Sequence, residues 1–141
     1  MAARRKVLIV EDNADLRRLY AIGLNQRGYE VKLATNGAEA LDRIATENPD
    51  VILLDMIMPI MDGWAVLEKI SSPGGGPCTP VLVISGHAPP AAHPPHECIA
   101  GWLAKPISID QLAEAISLAI PLGRSRRRRV RPSDAAPTKI G

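Results

Sequence analysis

The sequence predicts an α/β fold, a doubly wound parallel sheet of five strands covered by helices on both faces. Three observations lead there. Val7–Val10, Val51–Leu54 and Val81–Ile84 are unbroken apolar runs of four, which suit strands buried on both faces better than half-buried ones. The stretches between such runs carry apolar residues at helical spacing, so strand and helix alternate along the chain. Of 141 residues 46% are hydrophobic, yet Phe is absent and only two Tyr and two Trp occur. A chain of this length therefore buries one aliphatic core and forms one domain.

The elements follow in order. After the first strand, Val7–Val10, residues 13–27 set Leu16, Leu19, Tyr20 and Leu24 at helical spacing, and Gly28 supplies a stop. Tyr29 to Ala34 alternates, with Tyr29, Val31 and Leu33 on one side and Glu30 and Lys32 on the other. That pattern predicts a strand with one wetter face, at a sheet edge. Asn36 caps a second helix bearing Ala38, Leu41, Ile44 and Ala45, and Asp62-Gly63 opens a third through Trp64, Val66, Leu67 and Ile70. Residues 71–80 include Gly74-Gly75-Gly76-Pro77. Without a lysine and a strand–helix setting, this is a connector rather than a phosphate cradle. A fourth helix is expected between the fourth strand, Val81–Ile84, and the fifth, Gly101–Ala104, but Pro89, Pro90, Pro94 and Pro95 fall there. The second pair would sit inside it, each proline costing roughly 3 kcal/mol. This helix is expected to be shortened, displaced or absent. Ser108 and Gln111 form a capping box for the last helix, whose apolar face is Leu112, Ala115, Ile116 and Ala119.

Charge divides the chain. Residues 1–120 carry 10 basic and 14 acidic side chains, whereas residues 121–141 carry 7 and 1. We expect a domain over 1–120 and a disordered, Arg-rich tail over 121–141, which offers nothing to bury. The six arginines of Arg124–Arg131 read either as a solvated run or as a contact for nucleic acid or an acidic partner. Without interleaved aromatics or a recognition helix, sequence-specific DNA reading is not expected. No apolar run approaches bilayer length, and Val7–Val10 is too short for a signal-peptide core. The expectation is a soluble cytoplasmic protein with no membrane partner. Cys78 and Cys98 cannot build a disulfide framework and are expected as reduced thiols. His93, His96 and Cys98 lack a fourth ligand of matching spacing, so no metal site is expected there.

The polar residues that carry chemistry stand at strand ends. Glu11 and Asp12 follow the first strand, Asp55 the third, Ser85 the fourth and Lys105 the fifth. In open α/β sheets, ligands bind beyond the carboxyl ends of strands where the strand order reverses. With a flavodoxin-like order 2-1-3-4-5, Glu11, Asp12 and Asp55 crowd that point. Three carboxylates repel one another, and a hard divalent cation such as Mg²⁺ relieves the repulsion. A carboxylate beside such a cation, a lysine and a hydroxyl can accept a phosphoryl group, with Asp55 as nucleophile.

These residues, set in Lys6-Val7-Leu8-Ile9-Val10-Glu11-Asp12-Asn13, Leu54-Asp55-Met56-Ile57-Met58-Pro59, Asp62-Gly63, Ser85-Gly86 and Lys105-Pro106, resemble the receiver domain of two-component response regulators over residues 5–120. The resemblance implies a stand-alone, single-domain regulator that takes a phosphoryl group onto Asp55 from the phosphohistidine of a sensor histidine kinase or phosphotransfer protein. It implies Mg²⁺ held by Asp12, Asp55 and the Ile57 carbonyl, with Glu11 acting through water. Ser85 matches the switch hydroxyl, Lys105 the phosphate-pairing lysine, and Trp102 the aromatic that rotates inward. Such a domain is a switch that assists its own phosphorylation and dephosphorylation, not a conventional enzyme, and signals to a downstream protein by contact. Apolar Ile57 would overlie the phosphoryl group and hinder water, although His87 lies in the same region. Two other readings compete. One is a receiver-like scaffold whose Arg-rich tail binds nucleic acid or an acidic partner. The other is an aspartate-nucleophile phosphatase, which would need an acid/base Asp where Ile57 stands.

Overall fold

A computed structural model describes residues 4–58, 60–70, 78–86 and 98–129, the last eight by backbone alone. The order is β1 (Lys6–Val10), α1 (Ala14–Gln26), β2 (Glu30–Ala34), α2 (Gly37–Glu47), β3 (Val51–Asp55), α3 (Gly63–Ile70), β4 (Val81–Ser85), β5 (Ile99–Ala104) and α4 (Ile109–Arg129). All strand pairs are parallel, in the order β2-β1-β3-β4-β5. Both faces are covered, as expected. Leu8, Val10, Ile52, Leu54, Val81 and Val83 pack with Ala40 of α2 and Val66 and Leu67 of α3. The alternate residues Val7, Ile9, Val51, Leu53, Leu82 and Ile84 pack with Tyr20 and Leu24 of α1 and Leu112 and Ile116 of α4. Period-2 alternation thus divides each apolar run between two cores, so every residue of β3 and β4 is buried.

Local chemistry sets the helix starts. Asn13 Oδ1 accepts from Leu16 N at 2.9 Å, Asn36 Oδ1 from Glu39 N at 2.9 Å and Asp62 Oδ1 from Ala65 N at 3.0 Å. Ser108 and Gln111 close the predicted reciprocal box, each side chain accepting from the other's backbone N–H at 3.1 Å. Gly28, at φ 92°, lets the chain leave α1 for β2 in a conformation that a Cβ would oppose. At Gly63 the requirement is space, because a Cβ there would run into Met56 Sδ and lie 2.7 Å from Met56 Cα. α3 can therefore start directly against the loop that leaves β3.

The structure departs from expectation in several places. Cys78 and Cys98 are joined by a disulfide, not left as thiols. Each lies just before one of two neighbouring strands, β4 and β5, so parallel pairing brings their Cα atoms to 5.7 Å across a separation of 20 residues. Leu19 is exposed; the buried stripe of α1 runs through Tyr20, Gly23 and Leu24. β5 begins at Ile99 rather than Gly101, with a register shift between Val81 and Leu82. The shift leaves Ala100 as the extra residue. Ile99 and Trp102, three apart, consequently share the α2/α3 face. α4 continues past Pro121 to Arg129, so helical backbone extends beyond the boundary composition suggested; arginine is a good helix former. The proline-interrupted helix, the Gly74–Gly76 connector, His87, His93, His96 and residues 130–141 lie outside the described residues. Among the described residues, no helix is long and apolar enough to cross a membrane.

Candidate functional site

The parallel register assembles the polar residues. Val10 pairs with Leu54, so Glu11 and Asp55 leave neighbouring strands at the same level. Asp55 pairs with Ile84, which puts Ser85 one residue further on the next strand, and Lys105 N donates to Ser85 O at 2.8 Å. One side-chain oxygen each from Glu11, Asp12 and Asp55 lie within 4.8 Å of one another. Glu11 (2% exposed), Asp55 (7%) and Ser85 (6%) are the buried polar residues here, whereas Asp12 is exposed. Lys105 reaches in from β5, its Nζ 3.2 Å from Glu11 Oε1 and 3.5 Å from Asp55 Oδ2.

Two carboxylate oxygens also accept from the backbone. Asn13 N donates to Glu11 Oε2 at 3.2 Å, and Ile57 N donates to Asp55 Oδ1 at 3.1 Å. Asp55 Oδ1 is thereby occupied, while Oδ2 faces the lysine. Arg17, on the first turns of α1, donates to the carbonyl of Glu11 at 2.9 Å and that of Asp12 at 3.4 Å, pinning the loop that carries both acids. Sequence reasoning missed this clamp, whose only signal is a cation one helical turn beyond an acidic pair.

Electrostatics fit the cluster. Burial raises the Glu11 carboxyl above its ordinary value, and the Asp55 charge raises it further, against the opposing pull of the Asn13 N–H and Lys105. Burial alone would lower the Lys105 ammonium, but Glu11 and Asp55 outweigh it and hold the group above its ordinary value. Tyr20, buried beneath, is raised chiefly by desolvation. Hard oxygen donors, two of them buried, with one ammonium to offset three carboxylates, are the donor set a small divalent cation favours.

Two expected residues sit apart. Ile57 presents its side chain to solvent (68% exposed) beside Asp55. Trp102 stands in the α2/α3 core, its ring centroid 5.9 Å from that of Trp64 at a tilt of 41°. The bulge in β5 turns it to that side.

Comparison with known proteins agrees with this arrangement. Residues 7–117 match the model of the response regulator receiver domain. The chain is 33% identical to the response regulator MprA of Mycobacterium tuberculosis over 138 residues, 93% of this chain and 54% of that protein. MprA of Mycobacterium leprae matches to the same extent. The chain thus spans about half the length of the curated relatives it matches. Among solved structures, the chemotaxis response regulator CheY4 of Vibrio cholerae superposes with a TM-score of 0.73 at 29% identity, covering 82% of this chain and 98% of that one. The receiver domain of the hybrid histidine kinase CckA gives 0.67 at 37% identity over the same shares.

Proposed function

Because the chain belongs to the response regulator receiver domain family, we propose that Asp55 is the phosphoacceptor of a signalling switch charged from a phosphohistidine. The observation that carries this is the convergence of Glu11, Asp12 and Asp55 with the Lys105 ammonium at the sheet's switch point. In the transfer, an Asp55 carboxylate oxygen forms the new bond to phosphorus as the histidine nitrogen–phosphorus bond breaks. We assign the attack to Oδ2, the oxygen that faces the Lys105 ammonium, while Oδ1 accepts from the Ile57 N–H. Lys105 exchanges its contact with the Asp55 carboxylate for one with a phosphoryl oxygen. Ser85, at the end of the adjoining strand, supplies a hydroxyl to the same group. Asp12, Asp55 and the Ile57 carbonyl would hold Mg²⁺, with Glu11 acting through water. The ion would offset charge on the carboxylates and on the transferred group.

The added charge biases a two-state element. Inward rotation of Trp102 would break its contact with Trp64, so tryptophan emission reports the switch. We assign the receiver unit to residues 1–120 and treat 121–141 as an appended basic segment. The donor is a sensor kinase or phosphotransfer protein, and output passes by contact to a downstream protein in the cytoplasm. Incubation with acetyl phosphate and Mg²⁺, followed by intact mass measurement, tests the assignment. A single phosphoryl adduct that is absent in Asp55→Ala supports it. An adduct that persists in Asp55→Ala, or none in the native chain, refutes it.

A further inference from the structure

We propose that Cys78 and Cys98 form a reversible dithiol–disulfide site that fastens β5 to β4 and gives the switch a redox input. The chain has two cysteines, and the fold sets them 5.7 Å apart at Cα, within the span a disulfide bridges. Both belong to the α2/α3 core, beside Ile99, Trp64 and Trp102.

Position gives the bridge its consequence. Among the described strands β5 is at the sheet edge, hydrogen-bonded to β4, and none of its residues is fully buried. It carries Trp102 and leads into Lys105. Its ladder to β4 is interrupted at Val81/Leu82, beside the bridge. Below the interruption, Val81 N donates to Cys98 O at 2.7 Å. The disulfide therefore clamps β5 where its backbone pairing is weakest, and the bulge it borders decides which face Trp102 occupies. Opening the bridge removes the covalent tie at that end of the strand, where the Val81–Cys98 bond and the contacts of Ile99 remain.

The exchange balances. Cys78 is the more accessible partner, 8% exposed against 1% for Cys98, so an incoming thiolate of a dithiol reductant attacks Cys78 Sγ. The protein S–S bond breaks, and Cys98 leaves as a thiolate that takes a proton. The second thiol of the reductant then displaces Cys78, which is protonated in turn, and the reductant departs as its cyclic disulfide. Two electrons and two protons pass to the protein; the reverse reaction restores the bridge. In a reducing cytoplasm, disulfides are characteristically of this transient, sensing kind.

That the bridge acts as an input rests on the phosphoacceptor assignment; that it exists and governs β5 does not. The test uses the full chain equilibrated in buffers of reduced and oxidised dithiothreitol, with thiols counted by alkylation and mass. The expected result is a reversible two-thiol transition. Amide hydrogen exchange across Ile99–Ala104 should be at least tenfold faster in the reduced form, while β1 and β3 stay unchanged. Cys78→Ser/Cys98→Ser should match the reduced form and ignore dithiothreitol. Two free thiols in the fully oxidised buffer, a bridge that resists dithiothreitol in the native state, or equal exchange in both forms would overturn the redox site. With acetyl phosphate, the oxidised form should label at least twofold faster, because its β5 holds Lys105 in place. Equal labelling rates would overturn the input. Absence of label in both forms would instead overturn the phosphoacceptor assignment, with the exchange result still deciding the redox site.

Discussion

Replacing Lys105 with methionine removes the only side-chain cation within ion-pair distance of Glu11 and Asp55 among the described residues. The stem is nearly conserved in volume, so the change is chiefly one of charge. At 3.2 and 3.5 Å, and an effective dielectric of about 20, each contact carries a gross attraction of about 5 kcal/mol. Dehydration of the three groups offsets most of this, and the Lys105 side chain remains 24% exposed. Breaking a fully buried pair costs about 3–5 kcal/mol; discounting for the partly solvated lysine, we expect Lys105→Met to lose about 2 kcal/mol near neutral pH. The loss depends on pH with a definite sign. Burial and Asp55 already raise Glu11, and removing Lys105 removes an influence that lowers it. A carboxyl whose folded pKa is raised destabilises the fold as pH rises from its ordinary value of 4.5 through the folded value. The deficit of the variant relative to the native protein should therefore be small below that ordinary value and fully developed at neutral pH. Millimolar Mg²⁺ should shrink it by replacing the missing positive charge. Urea unfolding at acidic and neutral pH, with Mg²⁺ and with chelator, measures all of this. A variant as stable as the native protein at neutral pH, or a deficit that grows on acidification, would refute the reasoning.

Other substitutions probe the loop between β3 and α3. Gly63→Ala should cost about 1–3 kcal/mol in chemical denaturation, because the new Cβ meets the backbone of Met56 at 2.7 Å and not merely its flexible sulfur. Ile60→Asn should do the opposite. Ile60 holds φ at 71° while 83% exposed, so a residue tolerant of the left-handed region should add about 1 kcal/mol, read as a higher midpoint, with little burial lost. Ile57→Asn should shorten the lifetime of the acyl phosphate severalfold, measured as loss of the adduct over time, by putting a polar side chain where an apolar one now stands beside Asp55.

Much of this arrangement was legible in the residues themselves. Continuous apolar runs named β1, β3 and β4, and alternation named β2 as an edge strand, although Leu33, placed with Tyr29 and Val31 on its covered side, is exposed. Capping chemistry placed Asn36, Asp62 and Ser108 where they stand, while the Asn13 cap emerged only in the fold. The crowding of Glu11, Asp12 and Asp55, with Lys105 nearby, followed from their places at strand ends taken with a flavodoxin-like strand order. What stayed hidden depends on register rather than on composition. The Cys78–Cys98 bridge joins residues 20 apart that only β4–β5 pairing brings together. Ala100 has no signature as a bulge, yet it turns Trp102 away from the strand's simple alternation and onto Trp64. Leu19 satisfied a helical stripe in spacing but fell outside the arc that the sheet covers.

In the proposed switch, Asp55 and its acidic neighbours share a cation at a site shaped for a phosphoryl group. Fluorine NMR of the chain with beryllofluoride, which adds to an aspartate as an acyl-phosphate mimic, tests it directly. We expect bound fluorine resonances that require Mg²⁺, weaken in Asp12→Ala and vanish in Asp55→Ala. Bound resonances that form without any divalent cation, or that survive the loss of Asp55, would contradict it.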